Sequence, residues 1–144
     1  MADMKINVNA VWNEGVTGNG TLKSENLDTK IAIPTFLGGS GKGANPKEVL
    51  VSSVTTCYAA TLTFALESRK LPVAELIVNS EANISDNEFK ITHYPHIVLS
   101  ADATEEQIQS AQRATEAADK GCEVGNLLKK ADVKIEIQGK VSSK

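Results

Sequence analysis

The segment from residue 45 to residue 70 constrains this chain most, because it predicts a helix that is apolar around most of its circumference. Asn45 is a good N-cap, Pro46 suits the first helical position, and Glu48 completes a variant of the capping box. Apolar residues then recur at three- and four-residue spacing, with very few charges before Glu67: Leu50, Val54, Cys57, Tyr58, Ala59, Leu62, Ala65 and Leu66. Such a helix must be buried on most sides, which favours a place at the centre of the fold.

Strands and shorter helices are predicted on both sides of this helix. Alternating polar and apolar residues predict the strands, and a capping box at Thr104 and Gln107 opens the second helix. The strands are predicted over 4–12, 21–24, 30–33, 73–85, 88–101 and 133–137, and the later helices over 104–121 and 123–130. We expect Gly121 to end the second helix with a left-handed cap. The order βββ–α–ββ–α–α–β predicts an α+β fold with mainly antiparallel sheets around the central helix.

The length of the chain and its apolar helix predict the number of domains and the oligomeric state. The 144 residues suit one domain, predicted over 1–144. Because one small sheet covers only one side of the central helix, we expect a second copy of the chain to cover the rest in a homodimer.

Charge and hydropathy exclude several classes of partner. The formal net charge is −3, acids and bases are interspersed, and no run of one sign reaches five residues. We therefore expect no nucleic acid and no anionic membrane as partner. The first residues alternate polar and apolar, unlike a signal peptide, and no apolar stretch is judged to approach the roughly twenty residues that span a bilayer. The expected location is cytoplasmic.

The two cysteines are the strongest candidates for chemistry. In a reducing compartment they indicate buried packing, metal ligation or redox chemistry. Cys57 lies in the middle of the predicted central helix, and Cys122 begins a short helix. A helix N-terminus favours the thiolate at Cys122, whereas Cys57 gains no such help from its own helix and needs another group to activate it. Nothing in the spacing itself shows that the two thiols meet.

Two motifs around these cysteines resemble those of one family. Residues 43–57, GANPKEVLVSSVTTC, are similar to the G-T-N-P-E-E-L-x-x-A-x-x-x-C signature of the OsmC/Ohr proteins, the osmotically inducible and organic hydroperoxide resistance proteins. Residues 120–129, KGCEVGNLLK, resemble the second motif of that family, A-x-x-x-C-P-x-S-x-x-L. The order of elements and the 65 positions from Cys57 to Cys122 also fit, so the resemblance covers about residues 5–138.

The resemblance implies an intertwined homodimer with both cysteines adjacent in each active site. Cys57 would be the catalytic thiol that attacks an organic hydroperoxide, and Cys122 would then form a disulfide with it. A dithiol reductant, such as a lipoylated protein, would restore both thiols. No metal, haem, flavin or other cofactor is implied.

The chain departs from the family pattern where a positive charge is expected. The Ohr branch has an arginine in the first turn of the N-terminal sheet, and a glutamate ten residues before the first cysteine; here residues 16–20 contain no arginine and Lys47 holds the second position. Lys47 or Lys42 could supply the positive charge, with Glu48 as its partner. Glu123 stands where the family has a proline and would oppose a thiolate at Cys122.

Two other functions stay open beside the peroxidase. A family member without activity could bind a small apolar ligand or an acylated molecule, and a different thiol enzyme could handle disulfides or persulfides. The histidine pair His93 and His96 has no third ligand nearby in sequence, which argues against a metal site. The glycine-rich loop 38–43 lacks the pattern of a phosphate-binding loop.

Overall fold

The computed structural model describes residues 3–144 and divides the chain into two compact units. The first unit extends to Leu50 and the second runs from Val51 to Lys144, so the boundary falls inside the long helix. The single domain predicted over 1–144 stays a prediction, and each unit is described by itself.

The first unit contains a three-stranded antiparallel sheet in the order β1-β2-β3. Its strands are β1 (Asn9–Asn13), β2 (Asn19–Lys23) and β3 (Asp28–Ile31). Every side chain of β1 is exposed, and β1 begins at Asn9 rather than at the predicted residue 4. A short 3-10 helix, Thr35–Leu37, was not predicted, and it ends at Gly38 in the left-handed conformation that glycine adopts readily.

Helix α1 (Pro46–Ser68) has the predicted bounds. The Asn45 side-chain oxygen accepts a hydrogen bond from the Glu48 backbone N–H at 2.9 Å, which confirms the N-cap. Within the chain, however, the helix buries a single row of side chains at four-residue spacing: Val54, Tyr58, Leu62 and Leu66. The expected burial on most sides is therefore not provided by this chain alone, and Phe64 is 75% exposed.

One statement from the sequence is wrong, because α1 is long and apolar enough to cross a membrane by length and composition. It has 23 residues, and an 18-residue window within it has a mean hydropathy of 1.6. A core helix passes the same test, and the buried row of α1 lies in the core of the second unit.

The sheet of the second unit is built around one long strand. β4 (Val73–Ile84) and β5 (Phe89–Leu99) form the predicted antiparallel hairpin, in which the Ser85 N–H donates to the Glu88 carbonyl at 2.8 Å. β6 (Lys134–Ile137) and β7 (Lys140–Ser143) both pair with β5 in parallel. The C-terminal strands thus differ from the prediction. β7 was not predicted, and β6 and β7 pair with β5 in parallel, whereas mainly antiparallel sheets were expected.

Two consecutive helices pack in the core of the second unit. α2 (Glu105–Gly121) opens with the predicted capping box of Thr104 and Gln107, and α3 (Glu123–Lys130) follows. Cys122 is both the C-cap of α2 and the N-cap of α3, in an extended conformation with φ −76°. The predicted left-handed cap is absent because α2 continues through Gly121. Residues 3–144 thus form an α+β fold with three α-helices and two sheets, which confirms the predicted fold class.

Candidate thiol site

The two cysteines come together in the second unit. α1 carries Cys57, half-buried, and the corner between α2 and α3 carries Cys122, which is 1% exposed. Both are free thiols, and they lie close enough for a hydrogen bond between their side chains. The structure therefore provides the proximity that the sequence alone did not show.

Burial governs the ionisation of Cys122. Burial is the largest cause, and together with the contact with Cys57 and the charge of Asp119 it raises the pKa of this thiol from 9.0 to about 11. The backbone N–H of Gly125 lowers it, although no side-chain hydrogen bond of ordinary geometry caps α3. The N-terminus of α3 favours a thiolate at Cys122, but removal from water outweighs the pull of this eight-residue helix.

Gly125 leaves room for the sulfur of Cys122. A Cβ atom at this position would lie 3.2 Å from Cys122 Sγ and 3.4 Å from the Ile135 side chain. Any larger residue would push the thiol from its place or shift α3.

Tyr58, which follows Cys57, is fully buried in the same core cluster as Cys122. Its ring stacks on that of His93 with centroids 4.6 Å apart and planes 15° apart, and its hydroxyl donates to the Thr115 carbonyl at 2.9 Å. Burial raises the pKa of Tyr58, and the charges of Asp119, Glu116 and Cys122 act in the same direction. Tyr58 is therefore a permanent hydrogen-bond donor in the pH range where proteins are stable.

His93 is a fully buried, neutral histidine. Its Nδ1 lies 2.6 Å from Ser80 Oγ, which in turn accepts a hydrogen bond from Thr55 at 2.8 Å. Its Nε2 has no hydrogen-bond partner among the described residues. Burial lowers the pKa of His93.

His96 is bound separately, with Nε2 2.8 Å from Ser142 Oγ. Within residues 3–144 no three His, Cys, Asp or Glu side chains form a group that could hold a metal ion.

An ion pair closes the corner at Cys122, and sequence reasoning missed it. Lys129 Nζ, in the last turn of α3, lies 3.0 Å from Asp119 Oδ2, in the last turn of α2. The Asp119 side chain is 17% exposed and that of Lys129 is 34% exposed. The only available signal was a lysine in the last turn of a helix, which is common.

The supporting residues predicted from the sequence belong to the first unit. Lys47 and Glu48 are exposed in the first turn of α1, and Lys42 is exposed in the loop before it. All three belong to the first unit, whereas both cysteines belong to the second. Their role as a source of positive charge stays a prediction. Of the two arginines, Arg69 donates to the Ser110 carbonyl at 3.1 Å.

Comparison with known proteins identifies similar chains. The sequence model of the family described as OsmC-like protein matches residues 39–138. An uncharacterised protein of Bacillus subtilis (strain 168), YmaD, is 32% identical over 98% of this chain and 97% of that protein.

Solved structures share the fold. An OsmC-like protein from Mycoplasma pneumoniae superimposes with a TM-score of 0.75 at 21% identity, over 98% of this chain and 99% of that one. An organic hydroperoxide resistance protein from Elizabethkingia anophelis, with thiocyanate bound, gives a TM-score of 0.66 at 24% identity, over 99% of each chain.

Proposed function

This chain belongs to the OsmC-like protein family, and we propose that it is a cysteine-based peroxidase that reduces organic hydroperoxides. The observation that carries the proposal is the meeting of two free thiols with unequal surroundings. Cys57 is partly open to solvent, whereas Cys122 is buried and holds its proton up to high pH. This asymmetry gives Cys57 the role of attacking thiol and Cys122 the role of resolving thiol.

The chemistry conserves atoms and electrons. The Cys57 thiolate attacks the distal oxygen of R–O–O–H, the O–O bond breaks, and the two electrons of the sulfur reduce the peroxide to an alkoxide, which takes a proton to leave as an alcohol. Cys57 is then a sulfenic acid. Cys122 attacks that sulfur, water leaves, and a disulfide remains, which a dithiol reductant opens by thiol–disulfide exchange.

The partners follow from the same proposal. Alkyl hydroperoxides suit a thiol that is carried on an apolar helix, and a lipoylated protein or another dithiol is the reductant that a paired-cysteine site needs. The outer side of α1, with Phe64 exposed, supports a homodimer in which a second copy covers this helix. We place the enzyme in the cytoplasm, where both thiols are kept reduced.

The positive charge near Cys57 is assigned to Lys47, with Glu48 as its partner and Lys42 as the alternative. Replacement of Lys47 by Gln should slow the first oxidation of Cys57, while replacement of Lys42 by Gln should not. If neither change alters the rate, both lysines are ordinary exposed residues.

A second function is favoured by one observation. Lys129, whose charge reaches the buried groups of this site, is paired with Asp119 and is therefore not free to stabilise a thiolate. A thiol site without such a charge suits a protein that binds a small apolar or acylated ligand and does not turn over peroxide.

Titration of the purified, reduced protein with cumene hydroperoxide separates the two functions. The peroxidase should lose about two thiols per chain at stoichiometric peroxide, and Cys57→Ser should abolish this loss. Its matched variant, Cys122→Ser, should gain the mass of one oxygen atom on Cys57. Unchanged thiols in excess peroxide would leave the binding protein as the better answer, and oxidation confined to Cys122 would reverse the two roles.

A further inference from the structure

Gly125 is a glycine inside a helix, at a position where the backbone does not require one. It is the third residue of α3 and is buried, and its φ angle lies outside the left-handed region that glycine adopts readily. Glycine within a helix lowers stability relative to alanine, because it loses more backbone freedom on folding. The reason for this glycine is therefore to be found in the space around it.

The sulfur of Cys122 occupies that space. A Cβ atom on residue 125 would lie 3.2 Å from Cys122 Sγ, 3.4 Å from Ile135 Cδ1 and 3.5 Å from Cys122 Cβ. Carbon atoms in contact prefer a separation of about 3.5–4.0 Å and sulfur is larger, so the sulfur is the atom that an added methyl group would crowd most. The Gly125 N–H also lowers the pKa of Cys122, which agrees with a sulfur that lies against this residue.

The same sulfur also contacts Cys57. Both thiols are free, and their side chains are one hydrogen bond apart. A disulfide needs an S–S bond of about 2.05 Å, so the two sulfur atoms have to come closer when the bond forms and to separate when it is reduced. Gly125 provides the space that Cys122 Sγ fills while the thiols are apart.

We propose that Gly125 is a positioning residue that gives Cys122 Sγ a place to withdraw from Cys57, and that it thereby sets the balance between the dithiol and the disulfide. This inference rests on the proposed peroxidase function and deepens it. In each cycle the two thiols give two electrons and two protons to the hydroperoxide, which leaves as an alcohol and water while the S–S bond forms. The two thiols of the reductant return both, and Cys122 Sγ goes back to its place against Gly125.

The backbone of the corner around Cys122 is held by several bonds. The Cys122 carbonyl accepts from the Asn126 N–H at 2.9 Å, and Asn126 Nδ2 donates to the Lys120 carbonyl at 3.0 Å. The Asp119–Lys129 ion pair joins α2 to α3 at 3.0 Å. Cys122 Sγ moves by rotation about one single bond, so an added methyl group displaces the sulfur more easily than the backbone.

Gly125→Ala fills the place of withdrawal with one methyl group. It crowds the dithiol form more than the disulfide form, in which the sulfur has moved toward Cys57. The equilibrium should therefore shift about tenfold toward the disulfide, which corresponds to a midpoint potential about 30 mV lower.

Gly121→Ala is the matched control, because it adds the same methyl group to the helical glycine just before Cys122. Apart from its neighbours in sequence and its own helix, a Cβ atom there meets Thr61 Cγ2 at an ordinary contact distance of 3.4 Å. The equilibrium should change by less than about twofold, although the gain in helix propensity is the same.

The double variant Gly125→Ala with Ile135→Val separates the sulfur from the other crowded atom. Valine lacks the Cδ1 atom that the new methyl group would meet on β6. The shift toward the disulfide should persist in this variant. Its disappearance would show that crowding of β6 causes the shift, and would overturn the proposal.

The measurement equilibrates the full chain with graded mixtures of reduced and oxidised dithiothreitol, without peroxide. Alkylation of the remaining thiols and mass spectrometry then give the fraction of disulfide. A shift toward the dithiol in Gly125→Ala, no shift, or an equal shift in Gly121→Ala would refute the role of Gly125, as would a wild-type chain that forms no disulfide in any mixture. If Gly125→Ala alone does not fold, the double variant with its extra space decides.

Peroxide tests the proposed function separately. Oxidation of the wild-type thiols by cumene hydroperoxide, with an unchanged potential in Gly125→Ala, would refute the role of Gly125 and keep the peroxidase. The expected shift in dithiothreitol, with thiols that do not react with peroxide, would refute the peroxidase and keep the role of Gly125.

Discussion

Helices α1 and α2 are in contact in the core of the second unit, where the Tyr58 hydroxyl of α1 donates to the Thr115 carbonyl of α2. The residues on their exposed sides differ in polarity. α2 buries small residues, among them Ala111, Ala114 and Ala118, and its exposed side is charged or polar. α1 buries large side chains, but its exposed side continues with hydroxyl and apolar residues and has no charge between Glu48 and Glu67. The exposed face of α2 is suited to water, and that of α1 is suited to another protein surface.

The largest expected effect comes from the buried row of α1. Leu62 is fully buried, and Leu62→Ala should lower the free energy of unfolding by about 2–5 kcal/mol, because it removes a large side chain and leaves a cavity. Denaturant unfolding of the full chain measures this loss.

The neighbouring exposed residue provides the control. Thr63→Ala, on the outer side of the same helix, should change the free energy of unfolding of the isolated chain by less than about 0.5 kcal/mol. Equal losses in the two variants would show that the outer side of α1 is packed as tightly as its inner side, and the contrast with α2 would disappear.

The outer side of α1 is tested by a charge. Phe64→Glu places a carboxylate on the apolar exposed face of α1, so the proposed homodimer should weaken by about a hundredfold or more in dissociation constant. Sedimentation velocity across a concentration series measures the change.

The matched change on α2 is Arg113→Glu, which also puts a carboxylate on an exposed outer position. It should leave the dimer intact, since that face is already polar. A chain that is monomeric before any substitution would show that α1 keeps its apolar face for some other partner.

Much of this contrast could be predicted from the sequence. Asn45 and Pro46 set the start of α1, the box of Thr104 and Gln107 set that of α2, and both predictions depend on interactions within one turn. The strand β7, Lys140–Ser143, could not be predicted, because its four residues carry no periodic signal and it forms only by pairing in parallel with β5.

The candidate site, too, could be predicted only where the sequence carries a local signal. The cysteines stand in motifs that the sequence displays, whereas the Asp119–Lys129 pair joins residues ten positions apart across a helix corner. No helical or strand periodicity brings such residues together. The rise in the pKa of Cys122 depends on burial, which tertiary packing decides.

The smallest expected effect is the pH dependence of stability caused by His93, which packs against the buried side of α1. Tyr58 stacks on His93, whose folded-state pKa lies below its ordinary value of 6.5 because of burial. As the pH falls below 6.5, the unfolded chain binds a proton that the folded chain excludes. The stability contributed by neutral His93 is therefore complete above pH 6.5 and is lost as the pH falls toward the folded-state pKa. The slope can reach about 1.4 kcal/mol per pH unit. His93→Gln should flatten this part of the stability curve, measured by denaturant unfolding between pH 5 and pH 7. A slope that survives His93→Gln would mean that another group carries the titration and that the inner face of α1 is as indifferent to pH as the alanine face of α2.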